Sequence, residues 1–143
     1  SLNYKNIMQK TIEKLIPAAY EAVQEKLVET KDGKKGVPSG YNGYIASLGA
    51  SIIQMGLLPT IAVFSNENAN TQEKRPELLK AIEQVLKIKG GLFNAVLACQ
   101  GDRQKSLVLK KAIINASIAI KLSLRTFEKL KNENSKGGDN GSN

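Results

Sequence analysis

Histidine and tryptophan are absent from this 143-residue chain, cysteine occurs once, and aromatic residues make up only 5%. Without histidine the commonest general base at neutral pH is missing, and with it the serine and cysteine triads and most zinc sites. Cys99 has no partner for an intramolecular disulfide, and its apolar neighbours mark it as a small buried hydrophobe rather than a reactive thiol. The strongly apolar stretch from Ala112 to Leu124 is interrupted by Asn115, Ser117, Lys121 and Ser123 and is too short to span a bilayer. No signal-peptide pattern opens the chain, so the expected location is cytoplasmic, without membrane contact. The segment Gly101 to Ser106 has the residue types of a phosphate loop but not its spacing. These gaps argue against an enzyme, and nothing in the residues calls for a cofactor or a metal.

What is present is positive charge and helical periodicity. The formal net charge is +8, from 21 Lys and Arg against 13 Asp and Glu, a balance that favours a polyanionic partner. Hydrophobic content of 41% is enough for one domain of ordinary size to bury a core. No stretch shows sustained period-two alternation, so the predicted fold class is all-α: a single compact helical bundle of about five to six helices. Residues 1–133 form the predicted helical domain, and residues 134–143, rich in Gly, Ser and Asn, a disordered polar tail.

The first predicted helix runs from Tyr4 to about Thr30, with Ile12, Leu15, Ile16, Ala19, Val23 and Leu27 on one face and a kink at Pro17. Lys31 to Pro38 reads as a loop, and Ser39 opens a second helix that ends at Met55. Leu58 to Ser65 makes a third helix, followed by a polar loop, Asn66 to Lys74. Pro76 begins a fourth helix that ends at Gly90-Gly91, and Leu92 to Ala98 forms a fifth. Gly101-Asp102 opens the longest, predicted from Arg103 to Asn132.

Glu21, Glu25 and Glu29 stand at i, i+4, i+8, an acidic stripe that reads as a solvated or partner-binding face rather than a metal site. On the last helix Val108, Leu109, Ala112, Ile113, Ala116, Ala119, Ile120, Leu124, Phe127 and Leu130 share the core-facing sector. Arg103, Lys110, Lys111, Lys121, Arg125 and Lys129 share another, with Leu107, Ile114, Ile118 and Leu122 interleaved. Such a face either tracks a phosphate backbone while packing a protein partner, or consists of lysines snorkelling over core residues. With exposed aromatic platforms lacking, any nucleic-acid contact falls on the backbone and is independent of sequence.

The corner Met55-Gly56-Leu57-Leu58-Pro59 carries the most specific signal, because glycine readily adopts the positive φ of a left-handed helix cap and the proline blocks continuation. The run from Tyr41 to Phe64 resembles the small α-helical subunit of type III-B CRISPR effector complexes, the Cmr small subunit. Tyr41, Gly56, Leu57, Ala62 and Phe64 fit that family's pattern, while Gly49 and Met55 stand where it has Pro and Asn. The resemblance implies a non-catalytic subunit of an RNA-guided antiviral complex. Its implied partners are the backbone nuclease subunit, the large subunit, further copies of itself, guide RNA and target RNA. Charge geometry, rather than the family pattern, nominates Lys34, Lys35, Lys110, Lys111, Lys121, Arg125 and Lys129 as the electrostatic face. The alternative is an all-α interaction or adaptor subunit without nucleic-acid contact. A stand-alone DNA-binding regulator is disfavoured because Thr60 to Ser65 is too apolar for a recognition helix.

Overall fold

The computed structural model describes residues 4–66 and 75–131, with the side chains of residues 4–8 left aside. Among the described residues the chain forms six helices: α1 (Tyr4–Lys26), α2 (Gly40–Met55), α3 (Leu57–Phe64), α4 (Arg75–Leu86), α5 (Leu92–Ala98) and α6 (Arg103–Leu124). The predominantly α-helical fold agrees with the sequence expectation, and α1 packs on α6 and α4 to make its centre. Residues 67–74 of the expected polar loop, and the expected tail, lie outside the described residues.

Amphipathic spacing builds the core. Ala19, Ala22, Val23 and Leu27 of the α1 region meet Ile113, Ala116, Ile120 and Leu124 of α6, all fully buried. Leu78, Ala81, Ile82 and Val85 close the cluster from α4. Glu13 and Pro17 are both exposed, so the hydrogen bond that Pro17 cannot make is lost on the solvated side of α1, and the helix runs through it. Glu83 on α4 accepts the Leu92 amide at 2.7 Å, holding the start of α5 beside α4. Asp102 caps α6 by accepting the Lys105 amide at 3.0 Å.

Three short strands depart from the strand-free expectation: β1 (Glu29–Lys31), β2 (Lys34–Pro38) and β3 (Lys129–Leu130), in the order β1-β2-β3. The expected loop at Lys31 to Pro38 is instead an antiparallel hairpin, with Thr30 opposite Lys35 and Lys31 opposite Lys34. Asp32 and Gly33 have φ of 53° and 79°, the two positive values that a primed hairpin turn needs. The first helix therefore ends at Lys26, not near Thr30. The last helix ends at Leu124, not at Asn132, and the chain then turns back so that β3 lies parallel to β2. Phe127 does not continue the helix; it stacks on Tyr20 of α1, with centroids 5.0 Å apart.

Candidate nucleic-acid interface

The α2–α3 corner is built by Gly56, whose φ of 94° and ψ of 169° serve as the C-cap of α2 and the N-cap of α3 at once. Positive φ was expected; the ψ carries it beyond the left-handed helical region into one that is essentially glycine-only. The Gly56 carbonyl accepts the Thr60 hydroxyl at 2.8 Å, and the buried Phe64 and Tyr41 anchor the corner to the core. Leu57 is half-buried against the core, whereas Ala62 is exposed. Gly91, at φ 93° and ψ 146°, repeats the device before α5.

An open groove of about 560 Å³ runs between this corner and the first half of α6, lined by Leu57, Leu58, Pro59, Arg103, Leu107 and Lys110. The corner and the start of the predicted basic stripe, nominated separately from sequence, thus share one surface. Farther along α6, Lys111 and Lys121 are exposed and Lys110 half-buried. Leu107 and Leu122 are exposed beside them, and Ile114 turns partly into the core.

The remaining cations sit on the small sheet. Lys34 and Lys35 are exposed on β2, and Lys129 lies on β3 in register with Val37. Lys129 is therefore not part of a helical stripe. Its ammonium donates to the Leu124 carbonyl at the end of α6, a favourable site for a cation at the negative end of the helix dipole. Burial, and then the charge of Arg125, lower the Lys129 pKa. Lys121 in the last turn and Arg125 at the C-cap occupy the same end of the dipole. Among the described residues, Lys34, Lys35, Lys110, Lys111 and Lys121 take part in no ion pair.

Other sequence expectations are redistributed. Glu29 leaves the acidic stripe because it lies on β1, and Glu25 accepts a hydrogen bond from Gln84 of α4. Among the described residues no three acidic, cysteine or histidine side chains are grouped to hold a metal ion. Val108, expected in the core, is 64% exposed and lines a largely apolar groove of about 610 Å³ with Leu86, Ile88, Cys99 and Leu109. Cys99 is half-buried there rather than enclosed. Among the described residues no helix is long and apolar enough to cross a membrane. Lys31 and Lys131 were not nominated from sequence, yet the Lys31 ammonium donates to the Lys131 carbonyl at 3.3 Å and joins them to the cationic sheet. Only the three-dimensional pairing of the β1–β2 hairpin with the segment after α6 could have revealed them.

These residues define a small, basic, predominantly helical protein whose uncompensated cations lie along α6 and on an appended sheet. A family model described as CRISPR-associated protein (Cas_Cmr5) matches residues 12–127, and the chain belongs to that family, a Cmr subunit family of type III-B systems. It is accordingly a subunit of a CRISPR Cmr complex, associating with other components of that complex. Searches of curated proteins and of solved structures returned no significant match.

Proposed function

We propose that the chain is a non-catalytic small subunit of the Cmr complex that holds guide–target RNA through backbone contacts and stacks with further copies along the filament. The observation that carries the RNA reading is the set of cations without an ion-pair partner among the described residues, Lys34, Lys35, Lys110, Lys111 and Lys121. Arg103 to Arg125 spans 22 residue steps, about 33 Å at the helical rise, long enough to follow several phosphates. Arg125 and Lys129 add charge to this face while also stabilising the end of α6; an ammonium bonded once retains two further donors. The backbone nuclease subunit and the large subunit are the proposed protein neighbours.

The exposed Leu107 and Leu122 favour a second role for the same face, packing against a protein neighbour, and a pure adaptor would use it for nothing else. Salt dependence separates the two. In the assembled complex, replacing Lys34, Lys35, Lys110, Lys111 and Lys121 with Gln should flatten the slope of log K against log salt by roughly 0.7 per lost contact on single-stranded RNA. Helix content should hold, because Gln is nearly as good a helix former as Lys. An unchanged slope would leave the adaptor reading. RNA cleavage by the purified subunit that survives these substitutions would overturn the non-catalytic one.

A further inference from the structure

The chain after α6 turns back and pairs along β2. The Glu128 carbonyl accepts the Val37 amide at 2.8 Å, and the Leu130 carbonyl accepts the Ser39 amide at 2.9 Å. Leu130 is 8% exposed, Phe127 stacks on Tyr20, and Gly36 lies so close beneath Glu128 that there is no room for a Cβ. This closure sets two groups of charges on neighbouring strands: Lys129 lies opposite Val37, two residues from Lys35, and the Lys31 ammonium reaches the Lys131 carbonyl at 3.3 Å. Lys31, Lys34 and Lys35 belong to the β1–β2 hairpin, with Glu29 and Asp32; Arg125, Lys129 and Lys131 arrive with the C-terminal segment, which brings Glu128. Cations outnumber carboxylates in each group, so closure works against like-charge repulsion.

We propose that residues 125–131 form a strap whose closure on β2 is coupled to binding of a phosphate backbone at the composite site of Lys31, Lys34, Lys35, Arg125, Lys129 and Lys131. The inference rests on the RNA-facing reading above and adds a conformational consequence to it. A polyanion laid across both groups relieves their repulsion only when the strap is closed. It therefore binds the closed state better, and by linkage closure and binding reinforce each other. The Val37 and Ser39 amides report closure directly, because their acceptors are on the strap.

The test is residue-resolved hydrogen exchange of the full chain at low salt, with and without a single-stranded oligouridylate, with binding followed on the same samples. Saturating oligouridylate should slow exchange at Val37 and Ser39 by about fivefold or more, the lower end of typical coupling between sites. Amides in the middle of α4 should change little. A Lys34→Gln, Lys35→Gln variant, which leaves the Lys31–Lys131 hydrogen bond in place, should lose most of the slowing while keeping, or increasing, the protection seen without oligouridylate. Binding with no change at Val37 and Ser39 would overturn the strap coupling and leave the RNA reading intact. Failure of the oligouridylate to bind would overturn both.

Discussion

Gly36→Ala puts the smallest possible side chain where the strap crosses β2. A Cβ at Gly36 would lie 3.1 Å from the Glu128 carbonyl carbon and 3.3 Å from Leu130 Cδ2, and closer still to the Glu128 oxygen. Backbone is the obstacle, so rotamer changes cannot relieve the overlap; either the strap retreats or β2 bends. Retreat weakens the Val37–Glu128 hydrogen bond, a net loss of about 1 kcal/mol. It also uncovers part of Leu130, another ~1 kcal/mol given about 1.5–3 kcal/mol for full burial of such a side chain. The expected cost is thus about 2 kcal/mol, bounded above by the net worth of the closed strap, since complete release removes the clash. Urea denaturation monitored by circular dichroism should show a lower midpoint with little change in slope. Gly49→Ala is the internal control: apart from its own stretch of helix backbone, a Cβ there would meet nothing within 4 Å in the interior of α2, where Ala is favoured over Gly by about 0.5–1 kcal/mol. The same chemical change should therefore have opposite signs at the two sites. A Gly36→Ala protein within about 0.5 kcal/mol of the parent would refute the steric argument and the strap geometry with it.

Gly56→Val should lose about 1–3 kcal/mol in the same assay, because φ 94° and ψ 169° are open essentially to glycine alone, although a Cβ there would make only an ordinary contact with Pro59 Cδ at 3.9 Å. A loss below about 0.5 kcal/mol would show that the corner relaxes to an ordinary conformation. Lys87 ends α4 in the left-handed region at φ 58°, while the Ile88 amide bonds back to Glu83 at 2.9 Å. Lys87→Gly should relieve that conformation and gain up to about 1 kcal/mol, less the extra chain entropy of glycine. Differential scanning calorimetry checks it, and a lowered melting temperature would mean that the Lys87 side chain contributes more than its backbone costs.

The helices were legible because each carries an apolar face at helical spacing; the sheet was not, for identifiable reasons. Asp32-Gly33 is a strong hairpin signal, but Glu29-Thr30-Lys31 and Lys34-Lys35 on either side lack alternating hydrophobics, and Val37 is the one apolar side chain of β2 that is fully buried. β3 pairs with a strand far back in the sequence and spans Lys129 and Leu130 alone, so no local pattern encodes it. The end of α6 was hidden because Phe127 and Leu130 fall where a continuing helix would also turn inward. Neither Gly nor Pro stands at its C-cap; Arg125 does. Val108 shares the apolar sector of α6, and helical spacing alone does not tell how far along its length that sector is covered. Near its N-terminus that sector opens instead into the groove beside α4 and α5.

The cations nominated from sequence fall into two physical classes. Lys121, Arg125 and Lys129 cluster at the C-terminal end of α6, where the helix dipole alone favours positive charge by about 0.3–1 kcal/mol each. Lys34, Lys35, Lys110 and Lys111 stand where no helix terminus asks for them. Their presence is the stronger argument for a polyanionic partner, because folding gains nothing evident from them. The two classes also respond differently to salt. Screening weakens the dipole interaction and so reduces the stability of the end of α6, on which the strap depends. Some of the salt dependence of RNA binding would then arise from the protein rather than from counterion release. Substituting Lys110 and Lys111, which lie away from the strap, isolates the counterion term; substituting Lys129 mixes the two. A slope that flattens on Lys129→Gln but not on Lys110→Gln, Lys111→Gln would remove those two lysines from the RNA-facing surface.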